Sequence, residues 1–415
     1  MGISMQFGDL NFQFTDEFRY AWKDEGSRGR YDGSFWTPIS RATGYRPLGG
    51  IGFHGYSDPN GNQWALCVAG AVDDAVAAPI GYERIWKDTD SGADDDGSCW
   101  RPIPPNDGYK ACGDIFMRGH DTPPPTTAVW CVRKDLVHSG VVGDLIWNNA
   151  DTDSAPFGAW QIDTPVPYVD AECGLFAAHT YVGVPSQDPP RGGVEVNVLQ
   201  VPVPVTMRVD PAPPVLTSYD SPPLETEAVI DRIVTVPFTA ISDQNATISY
   251  QVTTSPFYTI TRTVYYSLFL FANNQTSTQQ TKSRAVAVGI TNTQTEAFAS
   301  ETAVTVGFES GVALGEAPFV YSGKVSASIT QRFGYQQSTS VAEFESVTLN
   351  DLLMIPPKHA AASWGLTYAL QVFRGDGSAV SLPLIFNDNG SFVDSQFPFA
   401  EKREGALPSR PKATA

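Results

Sequence analysis

The sequence predicts an all-β chain, with a three-repeat, β-prism-like domain followed by an elongated β module that carries a long hairpin. Three observations carry this expectation. Glycine (36) and proline (32) are plentiful and charged residues make up only 17%, a mixture that suits short strands and tight turns better than long helices. Tryptophans recur in the first half at near-constant spacing. From Val236 to Asn350, serine and threonine are abundant and several segments alternate them with apolar residues in the two-residue period of strands.

At 415 residues the chain is too long for one compact core. The expected division is a recognition domain over 1–205, a second β module over 206–400 and a polar tail over 401–415. A net charge of -18 argues against nucleic acid as a partner, because phosphate binding needs a basic patch. No stretch approaches the roughly 20 apolar residues of a membrane-spanning helix. The start, Met1 to Phe14, lacks a basic end followed by an apolar run, so no secretory signal is visible. Cys67, Cys99, Cys112, Cys131 and Cys173 form an odd set without close spacing. They read as reduced, buried residues, with a single pair as the alternative.

The repeat comes first in the chain. Phe18–Tyr45, Tyr82–Tyr109 and a worn third copy from Asp144 each open on a tryptophan (Trp22, Trp86, Trp147), and a second follows (Trp36, Trp100, Trp160). A further strand closes each unit at Trp64–Cys67, Trp130–Val132 and Val194–Val198. Each unit reads as strand, Asp/Gly/Ser turn, strand, Gly-rich turn, strand. One such unit cannot bury its tryptophan alone, whereas three around an axis can share a core. The second repeat, with its W-K-D-x-x-S-G-A and W-R-P-I-P-P runs followed by Cys131–Leu136, resembles the vacuolar protein sorting-associated protein sixty-two family. That resemblance implies a module rather than an activity.

The turns offer Asp24, Asp32, Asp88, Asp90 and Asp96 as candidate ligand-binding residues; the third copy is read as carrying Asn148 where the others have Asp24 and Asp88. Calcium wants several oxygen ligands from a flexible loop, sugars suit exposed Asp, Gly and aromatic residues, and a solvated turn is the plain alternative. All three readings stay open. No metal and no cofactor is assigned.

From Gly183 to Pro223 the chain is dense in proline, which blocks helix and central strand alike, so an extended inter-domain connection is expected within this stretch. Beyond it lies the candidate transmembrane hairpin, 302–335. Val304, Val306, Phe308, Val312 and Leu314 alternate on its first arm. Val325, Ala327, Ile329, Phe333 and Tyr335 alternate on its second. Glu309, Lys324 and Arg332 face the other way, toward a lumen. Phe319, Val320 and Tyr321 in the turn would enter lipid first. Each arm exceeds the roughly 9–11 residues of a tilted membrane strand. A lone hairpin in hydrocarbon leaves both edges unpaired, so insertion requires a closed homo-oligomeric ring.

The order of features resembles the aerolysin family, in its epsilon-toxin and mosquitocidal-toxin branch: an early Asn-x-Thr strand (Asn245–Phe257), a Thr/Gln-rich approach (Asn274–Thr281), the hairpin, a return strand (Ser338–Leu349) and a proline-marked strand (Met354–Lys358). The resemblance implies an aerolysin-like pore-forming module over about 230–375. It also points to activation by cleavage of the tail, at Lys402 or Arg403.

No HExxH, GxSxG or phosphate-binding loop occurs, and His54, His120, His138, His179 and His359 have no partners at metal spacing in sequence. The chain therefore reads as a non-enzyme. The expected function is a secreted or released soluble monomer that binds a target-cell membrane through the first half, through a glycan or glycolipid receptor, and then oligomerises into a β-barrel pore. Two rivals stand beside it: a non-lytic, lectin-like glycan-binding protein, and an intracellular trafficking or scaffold protein.

Overall fold

The computed structural model describes residues 2–165, 172–190, 192–208, 211–307, 311–314, 325–328 and 347–399. The described residues are nearly all β, with 49% in strands and 6% in helices.

The first half is built from three like sheets, one per repeat. They comprise Phe18–Lys23, Gly33–Pro38 and Ile51–His54; Gly81–Lys87, Gly97–Ile103 and Ile115–Arg118; and Val141–Asn148, Gly158–Asp163 and Tyr181–Val184. In each, the second strand lies between the other two. Each first strand carries a bulge at the residue just before its tryptophan. Ala21, Ile85 and Ile146 are skipped, so Trp22 pairs with Phe35, Trp86 with Cys99 and Trp147 with Ala159. A bulge re-aims the neighbouring side chain, and here all three tryptophans meet on the axis. Their rings pack edge-on to one another, with centroids 5.6, 5.2 and 5.8 Å apart.

The polar edges of these rings are satisfied in a cycle. Trp22 Nε1 donates to the Asp95 carbonyl of repeat two at 2.8 Å, and Trp86 Nε1 to the Ala155 carbonyl of repeat three at 2.7 Å. Trp147 Nε1 donates to the Tyr31 carbonyl of repeat one at 2.9 Å. Close approach explains the glycines of the turns. A Cβ on Gly97 would collide with the Trp22 ring, and one on Gly33 with the Trp147 ring. The third repeat has Phe157 at that place, and it stacks on Trp86 at 4.9 Å instead.

A second tier uses the closing strands, Ala65–Gly70, Cys131–Arg133 and Asn197–Pro202, each paired on both edges. Here the two halves of the chain merge. Phe14 and Trp64 of the first half pack on Phe238 of the second, at 4.9 and 5.6 Å, and Phe7 lies 5.9 Å from Phe257. One buried cluster runs from Phe7 through Val201 to Val236, Tyr258 and Val372.

The second half hangs on a five-stranded antiparallel sheet: Val205–Met207, Val229–Pro237, Phe257–Asn274, His359–Phe373 and Leu384–Phe397. The proline-rich stretch is only partly the extended connection that its composition predicts. Asn197–Pro202 and Val205–Met207 are strands, and the segment after Ala212 lies on the second sheet. Leu216 is buried there with Tyr266 and Trp364, and its N–H donates to Ser395 Oγ at 3.0 Å. The early strand expected over Asn245–Phe257 is a helix at Ile248–Thr253, because Thr247 caps it by accepting the Tyr250 N–H at 3.2 Å.

Candidate functional site

Two regions carry the candidate residues: the turns at one end of the prism, and the segment expected to insert.

The three turns are closed in the same way. Asp24 Oδ1 accepts the Gly33 N–H at 2.8 Å, and Asp88 Oδ1 accepts that of Gly97 at 2.9 Å. Asn149 Oδ1 accepts the Phe157 N–H at 2.8 Å. The third repeat's equivalent is therefore Asn149, two residues after its tryptophan as in the other copies, and not Asn148. Asn148 instead donates to the Gln187 carbonyl at 3.0 Å. A second donor reaches each turn from beyond the third strand. Tyr56 OH reaches Asp24 at 3.0 Å and Asp32 at 3.1 Å. A His120 ring nitrogen lies 2.5 Å from Asp88, and Gln187 Nε2 donates to Asn149 Oδ1 at 3.1 Å. Tyr56 and His120 both stand 32 residues after their aspartate. This regular spacing escapes notice in the sequence because the two residues differ in type.

Asp24 and Asp88 are 1% and 4% exposed. Burial pushes the Asp24 carboxyl above its usual range, against hydrogen bonds from Gly33, Trp147, Tyr56 and Ser27. Burial, followed by the nearby Asp24 charge, raises the Tyr56 phenol. The carboxylates of Asp88 and Asp96 and the His120 ring lie within 4.8 Å of one another, a spacing that a divalent ion could use. Tyr56 and Gln187, however, close the turns of their own repeats in the same way, so hydrogen bonding accounts for His120 without an ion. Asp32, Asp90 and Asp96 are exposed, and Asp90 sits at a turn with a φ of 61°. The turns are also stitched to each other: the Asp94 N–H donates to the Glu25 carbonyl at 2.7 Å, and that of Arg30 to the Ala150 carbonyl at 2.9 Å. They form one continuous apical surface, on which Asp90, Asp94, Asp96 and Asp151 are exposed beside Arg28 and Arg30.

Of the candidate hairpin, Val304, Val306, Val312, Leu314, Val325 and Ala327 lie in described strands. Phe308, Phe319, Val320, Tyr321, Ile329, Phe333 and Tyr335 lie outside the described residues, as do Glu309, Lys324, Arg332, Lys402 and Arg403. The first arm is not one straight strand here. Val304–Gly307 pairs with Gly311–Leu314, with Gly307 opposite Gly311, so the arm doubles back on itself. In that pairing Val304 stands opposite Leu314 and Val306 opposite Val312. Gly311–Leu314 pairs in turn with Val325–Ser328, and that strand joins Cys173–Phe176 of the first half. The result is a six-stranded sheet that crosses between the two halves.

A ribbon frames this segment. Gln280–Val288 pairs with Val347–Ile355 over nine positions. Val286, Val288, Leu353 and Ile355 are buried, while Leu352 and Met354 on the other side are 47% and 49% exposed.

Residues 2–181 match the family model of vacuolar protein sorting-associated protein 62, and residues 229–377 match that of the insecticidal crystal toxin P42. The second half is thus toxin-like, through the crystal toxin family in place of the epsilon-toxin and mosquitocidal-toxin branch to which its strand order pointed. No curated protein matches the chain. Among solved structures it is similar to GNIP1Aa from Chromobacterium piscinae, at 25% identity and a TM-score of 0.38 over 45% of this chain and 36% of that one. The chain thus spans little more than a third of that protein. It is also similar to Cry35Ab1, at 11% identity and a TM-score of 0.35 over 95% of this chain and 91% of that one.

Proposed function

We propose that this chain is a membrane-permeabilising protein: the prism binds a target surface, and the segment between the ribbon strands inserts as part of an oligomeric β-barrel. The observation that carries the reading is the toxin family match over 229–377, which takes in the ribbon strand Gln280–Val288 and its partner Val347–Ile355. Between them lies a segment whose described strands keep one apolar row, Val304–Leu314–Ala327. Barrel closure is the only arrangement that satisfies such strands in hydrocarbon. The apical surface of the prism is the proposed contact with a glycan or glycolipid, since its turns are held rigid and present charged groups outward. The name of the matched family makes insect membranes the first target to try.

Release of a trapped dye from vesicles of insect membrane lipid tests the reading. Leakage that rises more steeply than linearly with protein concentration is expected. Protein that binds these vesicles and releases nothing would leave a lectin-like role in its place.

A further inference from the structure

The strand Cys173–Phe176 belongs to the first half, and both its edges are occupied. Asn197–Pro202 fills one edge. Val325–Ser328 fills the other, with Leu175 opposite Ser326 and Phe176 opposite Val325. Among the described residues this is the ladder by which the prism holds the candidate insertion segment. The far end of that segment is fastened as well. Val304 is fully buried in the core shared by the two halves, and its N–H donates to Thr302 Oγ1 at 3.1 Å.

A strand laddered to a water-soluble module cannot lie in hydrocarbon, because its hydrogen-bonding partners would have to enter with it. We propose that the Cys173–Phe176 edge is an internal clasp. The first half holds Val325–Ser328 by strand addition, and unpairing of this strand is the step that frees the segment for the membrane. The proposal rests on the pore-forming reading above and gives the prism a second role beyond recognition. The ladder geometry suits such a release, since two register pairs hold the clasp against nine in the ribbon behind it. A binding event can part the first while the second stays intact. While closed, the clasp also blunts an edge that would otherwise invite pairing with another copy in solution.

The register provides the test. Continued by two residues, it places the native Cys173 opposite Ser328. Cys67, Cys99, Cys112 and Cys131 are buried, and Cys173 is half-buried. Ser328→Cys in the full-length chain therefore creates a removable bolt, and Cys173→Ser/Ser328→Cys is the control that cannot bridge. Mild oxidation in solution is expected to consume two thiols within one chain, by intact mass and thiol count. Dye release by the oxidised protein should then be at least tenfold slower than after reduction, while the control releases dye equally in both conditions. Failure of the bridge to form in the soluble protein overturns the clasp. So does a bridged protein that leaks as fast as the reduced one. Wild-type protein that releases no dye, with the bridge still forming, instead overturns the pore reading and with it the release step, so the two failures are told apart.

Discussion

In the prism the tryptophan hydrogen bonds and the turn closures are each made three times, whereas the candidate insertion segment is tied at each end by contacts made once. Trp22, Trp86 and Trp147 share one core and pass their hydrogen bonds around the axis, and each turn is closed by a buried Asp or Asn with a second donor. The described strands Val304–Gly307, Gly311–Leu314 and Val325–Ser328 are short, and two register pairs join the last of them to Cys173–Phe176. Threefold repetition gives a platform whose three parts hold one another through a shared core. Under the proposed release, single ties let the segment leave its place without unfolding the rest, and local stability of this uneven kind is what a conformational step draws on.

The largest expected effect breaks the platform. Trp22→Ala removes a ring at the centre of the shared aromatic core, and such a loss costs about 3–5 kcal/mol. Chemical denaturation should show it; a loss below about 1 kcal/mol would mean that the three repeats do not depend on one another. Because Phe14 and Trp64 pack on Phe238, the fall should appear in one transition that includes the second half.

Next comes the segment itself. Val306→Asp and Ile329→Asp, made separately, should leave binding to vesicles intact and abolish most leakage, since a charge near mid-bilayer on the lipid face costs roughly 2–4 kcal/mol. Full leakage by both variants would place the barrel strands elsewhere in the chain.

Smaller changes separate closure of the turns from ligand binding. Asp88→Ala leaves the Gly97 N–H without its acceptor at a buried place, for a loss of about 1–3 kcal/mol in thermal or chemical unfolding. His120→Gln copies the third repeat and should unfold within about 0.5 kcal/mol of wild type, as a surface change would. If it instead cost as much as Asp88→Ala, the repeats would not be interchangeable at this position.

The smallest effect is a slope against pH. Burial raises the folded pKa of Asp24 above its ordinary value of 3.8. The folded state therefore holds this proton more tightly than the unfolded chain does. The stabilising contribution is complete below about pH 4 and is lost as pH rises through the folded value. Asp24→Asn keeps the acceptor that Asn149 already supplies in repeat three, and it should flatten this part of the melting temperature profile above about pH 4. An unchanged profile would mean that the carboxyl titrates as in the open chain.

Much of the platform was legible because repetition shows itself at fixed spacing. The tryptophan pairs located the three sheets, and the Asp-Gly-Ser turns located their ends. Less visible was anything set by distant parts of the chain. The bulges before Trp22, Trp86 and Trp147, which aim the three rings at one axis, leave no mark in the residue pattern; Asn149, by contrast, stands two residues after Trp147 as Asp24 and Asp88 stand after theirs, and that spacing was there to be read. The helix at Ile248–Thr253 hides in a stretch that alternates like a strand, and one local cap at Thr247 decides it. The shared core around Phe238 and Phe257 joins residues more than 200 positions apart, and no periodicity encodes that. The pairing of Val325–Ser328 with Cys173–Phe176 escaped for the same reason, since the strand that receives it lies in the other half of the chain.

The most direct test of insertion follows the segment as it moves. Val306→Cys, labelled with a fluorophore in the full-length chain, should be untouched by quenchers carried in lipid tails while the protein is in solution. On addition of dye-loaded target vesicles, its emission should become sensitive to those quenchers, in step with dye release. Dye release with the label still out of reach of the lipid-borne quenchers would contradict insertion of this segment, because the membrane would then have been opened by some other part of the molecule.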